Sequence, residues 1–239
     1  MNKDRCYKWG YFPEVKKYDD VDSIITSKQN NSILWVGRLI DWKHPECAVE
    51  VADRLKRDGY EFELNIIGTG SMEEPLRKII YEKELQNYVR LCGSKSPENV
   101  RRCMEKSEIY LFTSDKGEGW GAVLNESMNS ACAVVASHMI GAVPYLIKHK
   151  ENGLVYKDGD ADDFYCKVRS LLDNKRYRQE LSKNAYYTMT DLWSPQIAAE
   201  RVLKLYDDIK KGEKRARYLE GPCSKAGLYN NKWFDVSEG

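Results

Sequence analysis

The chain reads as an α/β domain built on a doubly wound parallel sheet. Two observations carry that expectation. Short apolar runs alternate with amphipathic segments from Ile33 to Tyr156, and the loops that follow the runs collect glycines and charged residues.

The elements can be placed in order. Residues 1–31 are polar and aromatic, and Ser27 to Asn31 reads as a loop. Ile33 to Gly37 is a buried strand. Pro45 opens a helix with Ala48, Val51, Ala52 and Leu55 on one face, closing near Gly59. Phe62 to Ile67 is a second strand, and Glu73 to Leu85 a helix that tolerates Pro75 in its first turn. A third strand at Val89 to Cys92 and a helix at Pro97 to Lys106 follow. The fourth strand is Glu108 to Thr113, then a helix from about Trp120 to Ser130. Ala133 to Ser137 is the fifth strand, Val143 to Lys148 a short helix and Gly153 to Tyr156 a last strand. Asp160 to about Leu192 is mostly helix. Ser194 at the N-cap and Pro195 at N1 start another, running to Lys211. After Gly212 periodicity fades. The organisation is therefore an N-terminal segment (1–31), a Rossmann-like domain (32–192), a C-terminal helix (193–211) and a tail (212–239).

Composition narrows the class. The 239 residues are 42% hydrophobic and 31% charged, enough to bury a core without metal or disulfide support. Lysine and arginine total 38 against 37 acids, so a net charge of +1 predicts no nucleic-acid partner. Seven cysteines at 6, 47, 92, 103, 132, 166 and 223 form no Cys-x-x-Cys pair, and most fall in apolar runs, as reduced, buried thiols would. Such usage fits a reducing compartment. Residues Met1 to Arg5 form no apolar signal segment, and Ala131 to Pro144 is too short to cross a bilayer. The expectation is a cytoplasmic protein with no transmembrane segment, with peripheral attachment to a membrane left open.

Ligands on parallel sheets sit outside the carboxyl ends of the strands. There, Gly37 to Lys43 places Arg38 and Lys43 at one strand end, and Gly117, Gly119 and Gly121 flank Trp120 where a helix begins. Free N–H groups at a helix start, with two cations opposite, suit a phosphate or pyrophosphate. Two carboxylates, Glu118 and Glu126, would be repelled by phosphate unless they address other groups of the same ligand. Sugar and ribose hydroxyls are such groups.

These motifs resemble the retaining family 4 glycosyltransferases of the GT-B fold. Arg38 to Lys43 and Glu118 to Glu126 carry the resemblance, with Gly68 to Gly70, Val89 to Gly93, Gly141 to Pro144 and Glu151 to Val155 in register from about Ile33 to Ile209. The resemblance implies that Arg38 and Lys43 hold the donor pyrophosphate, that Glu118 contacts the donor sugar and Glu126 the ribose. It implies that Gly93, Ser94 and Lys95 lie against the base. Gly37, Gly119, Trp120, Gly121 and Ala122 complete the expected donor site, with Arg38, Lys43 and Glu118 in catalytic roles. It further implies retention of configuration and an acceptor glycan or lipid-linked sugar. Fixed cations make a divalent metal unnecessary and the sequence shows no metal-ligand cluster, so no metal or cofactor beyond the nucleotide-diphosphate sugar is expected. The match covers the C-terminal, donor-binding half of such an enzyme. Lys8 to Pro13 looks like the interdomain crossing, and the acceptor domain is expected on a separate chain, lost, or removed.

Plainer readings stand beside these. Arg38 and Lys43 could be solvated, and Glu126 an ordinary surface carboxylate. Trp120 reads as packing the helix start more than as a sugar platform. His44, His138 and His149 read as core or surface residues. Asp158 to Asp163 imitates a calcium loop but lacks its glycine and final glutamate, so it reads as a turn and helix cap. Lys210 to Arg215 reads as solvated. Gly68 to Gly70 hints at a dinucleotide fingerprint, yet Glu73 stands where its third glycine would be, and the next strand ends without an acid. The alternative of another class is a non-catalytic nucleotide-sugar-binding subunit or remnant.

Overall fold

The computed structural model describes residues 6–212, 217–227 and 233–234. Six strands form one sheet: β1 (Gln29–Val36), β2 (Glu63–Ile67), β3 (Val89–Leu91), β4 (Ser107–Phe112), β5 (Ala133–Ser137) and β6 (Leu154–Tyr156). Their order is β3-β2-β1-β4-β5-β6, and each neighbouring pair is parallel. The described helices are α1 (Val21–Thr26), α2 (Pro45–Arg57), α3 (Glu73–Glu82), α4 (Pro97–Lys106), α5 (Ala122–Asn129), α6 (Val143–Leu146), α7 (Ala161–Asp173), α8 (Lys175–Asp191) and α9 (Pro195–Lys210).

Strand side chains alternate between faces, so each face builds its own core. Ile33 and Trp35 of β1 join Leu64, Ile109 and Val135 under α2, α3 and α7, where Ala48, Leu55, Leu76 and Val168 pack. Leu34 joins Tyr110, Phe112 and Val134 on the other face, under Met104, Leu124, Met128 and Met189. Every residue of β4 and β5 is buried, as a central parallel strand covered on both sides requires. The chain winds from β1 to β3 in one direction and from β4 to β6 in the other. The strand order therefore reverses between β1 and β4, and the crevice beyond their carboxyl ends is the ligand position of such sheets.

The expected elements are present, and four boundaries need correction. Strand β1 starts at Gln29, inside the expected loop, and its pairing with β4 shifts register between Gln29 and Ile33. Partners far along the chain hold this polar stretch: the Asn31 N–H donates to Glu108 Oε2 at 2.6 Å, and Arg178 pairs with Glu108 at 2.9 Å, deeply buried. Helix α1 lies in the segment read as irregular; Asp20 caps it by accepting from Asp22 and Ser23 N–H. Helix α5 begins at Ala122 rather than Trp120, because Gly121 at φ 82° turns the chain there. The 160–192 stretch breaks at Asn174, whose side chain caps α8 by accepting from Tyr177 N–H.

The tail is also more ordered than its periodicity suggested. Lys8 N–H donates to Ser224 O at 2.7 Å, Cys223 N–H to Lys8 O at 2.8 Å, and Ala226 N–H to Cys6 O at 3.0 Å. Residues 223–226 thus pair with 6–8, and Cys223, Ser224 and Phe234 are buried. The expectations for Met1 to Arg5, for 213–216 within the lysine-rich run and for 228–232 and 235–239 of the tail lie outside the described residues; Lys210 and Lys211 are exposed. Thiol burial is uneven: Cys132 and Cys223 are buried, Cys47, Cys92 and Cys103 partly so, and Cys166 is exposed. Asp160 caps α7 by accepting from Asp163 N–H at 2.9 Å, as the turn-and-cap reading requires.

Lys28 ties the far end of the helical layer together. Its buried ammonium donates to Met104, Ser107 and Ser130 carbonyls, each at 2.9 Å. It closes the C-termini of α4 and α5, where carbonyls lack helical partners and the dipole favours a cation.

Candidate functional site

Three loops meet at the switch point, and main-chain bonds stitch them. Gly37 N–H donates to Ile67 O, Leu39 N–H to Thr69 O, and Gly68 N–H to Gly93 O. A Cβ on Gly68 would run into the Gly37 carbonyl oxygen, and one on Gly70 into that of Leu39. These glycines let the β2 loop lie against the β1 loop. That explains the Gly68-to-Gly70 spacing without a dinucleotide.

The turn of 3-10 helix at Asp41–Lys43 is anchored to the loop after β4. Thr113 Oγ1 donates to Lys43 O at 2.7 Å while accepting from Trp35 Nε1 at 2.8 Å. Asp115 N–H donates to Trp42 O at 3.0 Å. This registers Lys43 opposite Glu118, and the two form an ion pair in which both side chains are little exposed. Ser114 Oγ donates a second bond to the same Glu118 oxygen at 3.2 Å. The Lys43 ammonium also lies 4.7 Å from the Trp42 ring centre, and the Arg38 guanidinium 5.7 Å from it. Trp42 thus carries both cations, and Arg38 itself is exposed.

Beyond Glu118 the chain stays open. A Cβ on Gly119 would meet nothing within 4 Å, whereas one on Gly141 would collide with the Gly119 carbonyl oxygen. Gly141 N–H donates to Glu118 O and Ala142 N–H to Trp120 O, each at 3.2 Å, fixing the loop from behind. The N–H groups of Gly119, Trp120, Gly121, Ala122 and Val123 have no acceptor among the described residues. Five successive donors at a helix start, beside a lysine, are an arrangement whose chemistry suits an anion.

The remaining expected residues lie in differing surroundings. The Trp120 indole turns inward, 5.7 Å from Tyr145 and 6.2 Å from Trp193, with Nε1 donating to Asn125 Oδ1 at 3.0 Å. It packs the core and leaves only main chain facing the crevice. Gly93, at φ 64°, and the exposed Ser94 and Lys95 follow β3, two strands or about 10 Å from β1. Glu126 is the fifth residue of α5, just over one turn in. It opens on a cavity of about 390 Å³ between α4 and residues 14–16, with Arg101 and Glu98 on the wall. Burial raises the Glu126 pKa, and the charge of Arg101 opposes the rise. The fully buried Tyr110 has its pKa raised by burial first and then by Glu126 and Glu118, so both carboxylates act on this one residue.

Sequence reasoning missed Trp42, Thr113, Ser114 and Asp115, which orient the charged pair. An aromatic between two cations, and an aspartate two residues before Gly117 whose Oδ1 accepts the Gly117 N–H at 2.6 Å, were the available signals. His138 and His149 are structural: Nδ1 of each accepts a main-chain N–H, from Asp158 and Val155, at 2.9 Å.

Residues 19–188 match the model of the glycosyl transferases group 1 family. The chain belongs to that family. Among curated relatives, this group 1 chain is 36% identical over 134 residues to the amylovoran biosynthesis glycosyltransferase AmsK of Erwinia amylovora, covering 54% of this chain and 33% of that one. It is 27% identical over 177 residues to the alpha-D-kanosaminyltransferase of Streptomyces kanamyceticus, covering 74% and 45%. The chain therefore spans a third to a half of the length of such relatives. Its single α/β domain with a six-stranded parallel sheet matches solved GT-B glycosyltransferases. The S. aureus TarM G117R mutant, solved with UDP and saccharide ligands, superposes with a TM-score of 0.71 at 22% identity, over 82% of this chain and 38% of that one. The C-terminal domain of a group 1 glycosyl transferase (LpcC) from Francisella tularensis superposes at 0.64 and 19% identity, over 75% of this chain and 95% of that one. Among the described residues, no helix is long and apolar enough to cross a membrane.

Proposed function

We propose that this chain is the donor-binding half of a retaining family 4 glycosyltransferase. It would bind a nucleotide-diphosphate sugar and transfer a hexosyl-type unit to an acceptor glycan or lipid-linked sugar when completed by an acceptor domain. One observation carries the reading: at the switch point, Lys43 and Glu118 converge beside five N–H groups that have no acceptor among the described residues. In this reading Arg38, Lys43 and the amides of Gly119 to Ala122 take the pyrophosphate. Glu118 addresses the donor sugar and Glu126 the ribose in its half-buried hollow. Gly93 and Ser94, farther along the rim, take the base, and Gly37 lets the β1 loop approach. The direction fits an extended ligand laid from β3 toward β4.

Breaking the bond between sugar C1 and phosphate drives negative charge onto the leaving nucleoside diphosphate. Cations and amides gathered at the crevice would stabilise that growing charge. No metal or cofactor is assigned a part. Lys43 must share its charge between Glu118 and the phosphate, so binding loosens the pair and frees the Glu118 carboxylate for a sugar hydroxyl.

Helix α9 supports an acceptor-domain partner. Val202, Leu203, Tyr206 and Ile209 form an exposed apolar stripe at helical spacing, and Trp9 and Tyr11 are exposed in the N-terminal segment. A second reading is a non-catalytic nucleotide-sugar-binding subunit. Calorimetric titration with a panel of sugar nucleotides, followed by transfer assays with and without a candidate acceptor domain, separates them. Binding of no sugar nucleotide refutes both, and binding without transfer under either condition favours the subunit.

A further inference from the structure

His44 follows Lys43, precedes α2 and adopts a left-handed conformation, φ 48° and ψ 52°. That geometry crowds Cβ against the next carbonyl and is disfavoured for any residue with a side chain. Such positions persist where surroundings over-determine them, and they gather at functional sites. Here two carboxylates supply the constraint. Nδ1 lies 2.8 Å from Glu46 Oε1, and Nε2 lies 3.5 Å from Asp115 Oδ2.

Asp115 connects the ring to the site. Its Oδ1 accepts the Gly117 N–H at 2.6 Å, and its carbonyl accepts the Glu118 N–H at 3.1 Å. Glu118 pairs with Lys43, the residue before His44, so the connections close into a ring around the crevice. We infer that His44 is a positioning residue whose protonated ring latches the Asp115 turn to the Lys43 turn and so sets the spacing of the diphosphate cradle. This rests on the donor-site reading above.

The charge state follows from donor inventory. Both ring nitrogens face carboxylates, which only accept, and a neutral imidazole has one N–H to offer. The imidazolium has two. The charged groups around the ring are Glu46 on α2, Asp115 on the loop after β4, and the adjoining Lys43–Glu118 pair. Burial opposes the charge, but Glu46 and Asp115 more than offset it, and the His44 pKa is raised above its ordinary 6.5. A raised folded-state pKa means that the latch is fully present below the unfolded value and is lost as pH rises through the folded one.

The test uses the full chain and UDP, titrated calorimetrically from about pH 5.5 to about pH 8.5 in wild type and His44→Gln. Comparing the two cancels the titration of UDP itself. His44→Gln should bind about threefold more weakly at low pH, the scale of a partly exposed ion pair, with the two curves converging at high pH. His44→Gly relieves the left-handed strain, so its melting temperature should hold or rise while UDP affinity falls by a similar factor. A residue serving only the fold would not split the two readouts that way. Independently of any ligand, the Gly117 and Glu118 amide resonances should titrate with the midpoint of the His44 ring, and Asp115→Asn should abolish that coupling. Parallel pH profiles, or amides that stay flat through the His44 titration, overturn the latch. If wild type binds none of UDP, GDP and ADP, the donor reading falls, and the amide titration still decides the latch.

Discussion

Lys43→Ala removes the charge at the centre of the crevice. In the apo fold that ammonium contacts Glu118 and the faces of Trp42 and Phe112, with the pair only 13% and 11% exposed. For a nucleoside diphosphate, the lost charge-assisted contact is worth about 1.5–3 kcal/mol, or about 10- to 150-fold in Kd. The abandoned Glu118 carboxylate then faces the phosphate as a like charge, which moves the loss toward the upper end of that range. A free nucleoside lacks phosphate and should lose less than about twofold, within the scatter of a surface change. Lys43→Ala with Glu118→Gln should regain part of the diphosphate affinity, because the repulsive partner is gone. Breaking a largely buried pair also costs stability, up to about 3 kcal/mol, so circular dichroism should establish that each variant is folded at the titration temperature. Calorimetry with UDP, GDP and ADP, each against its nucleoside, gives the comparison. Equal losses for diphosphate and nucleoside would refute the pyrophosphate assignment.

Three further outcomes test other parts of the structure. Glu126→Gln should weaken free-nucleoside binding in calorimetry and raise the melting temperature at neutral pH. The Glu126 pKa is raised by burial, so the native state binds more protons than the unfolded chain as pH climbs above 4.5, and the ionised residue costs stability there. Gly141→Ala would drive a methyl into the Gly119 carbonyl and displace the donor loop; a stability loss of about 1–3 kcal/mol with weaker diphosphate binding is expected, measured by urea unfolding and calorimetry. Lys28→Met strips the donor from three buried carbonyls and should cost about 3 kcal/mol in urea unfolding, with the m-value unchanged.

Much of the fold was legible because its signals are local. The buried strands are short apolar runs, and Ser194, Pro195 and Asp160 announce helix starts by capping chemistry that acts within three residues. The errors share a cause. Gln29 to Asn31 look like a loop, and distant partners such as Glu108 and Arg178, about 80 and 150 residues away, hold their polar backbone as a strand. The tail lacks periodicity because residues 223–226 take their long-range main-chain partners from 6–8, far away in the sequence. At the candidate site, Lys43 and Glu118 stood out by their places at strand ends. Their pairing did not, since 75 residues separate them.

The sequence by itself determined the doubly wound α/β class, the order of its elements and the loops where a ligand would sit, because apolar periodicity and caps depend on near neighbours. Only the tertiary structure decided that Lys43 and Glu118 neutralise each other, that the Trp120 ring faces inward, that Gly68 and Gly70 serve loop contact, and that His44 spans two turns. Those outcomes depend on which carbonyl, ring or carboxylate from a distant segment arrives opposite each residue, and that is fixed by strand order and register across the sheet.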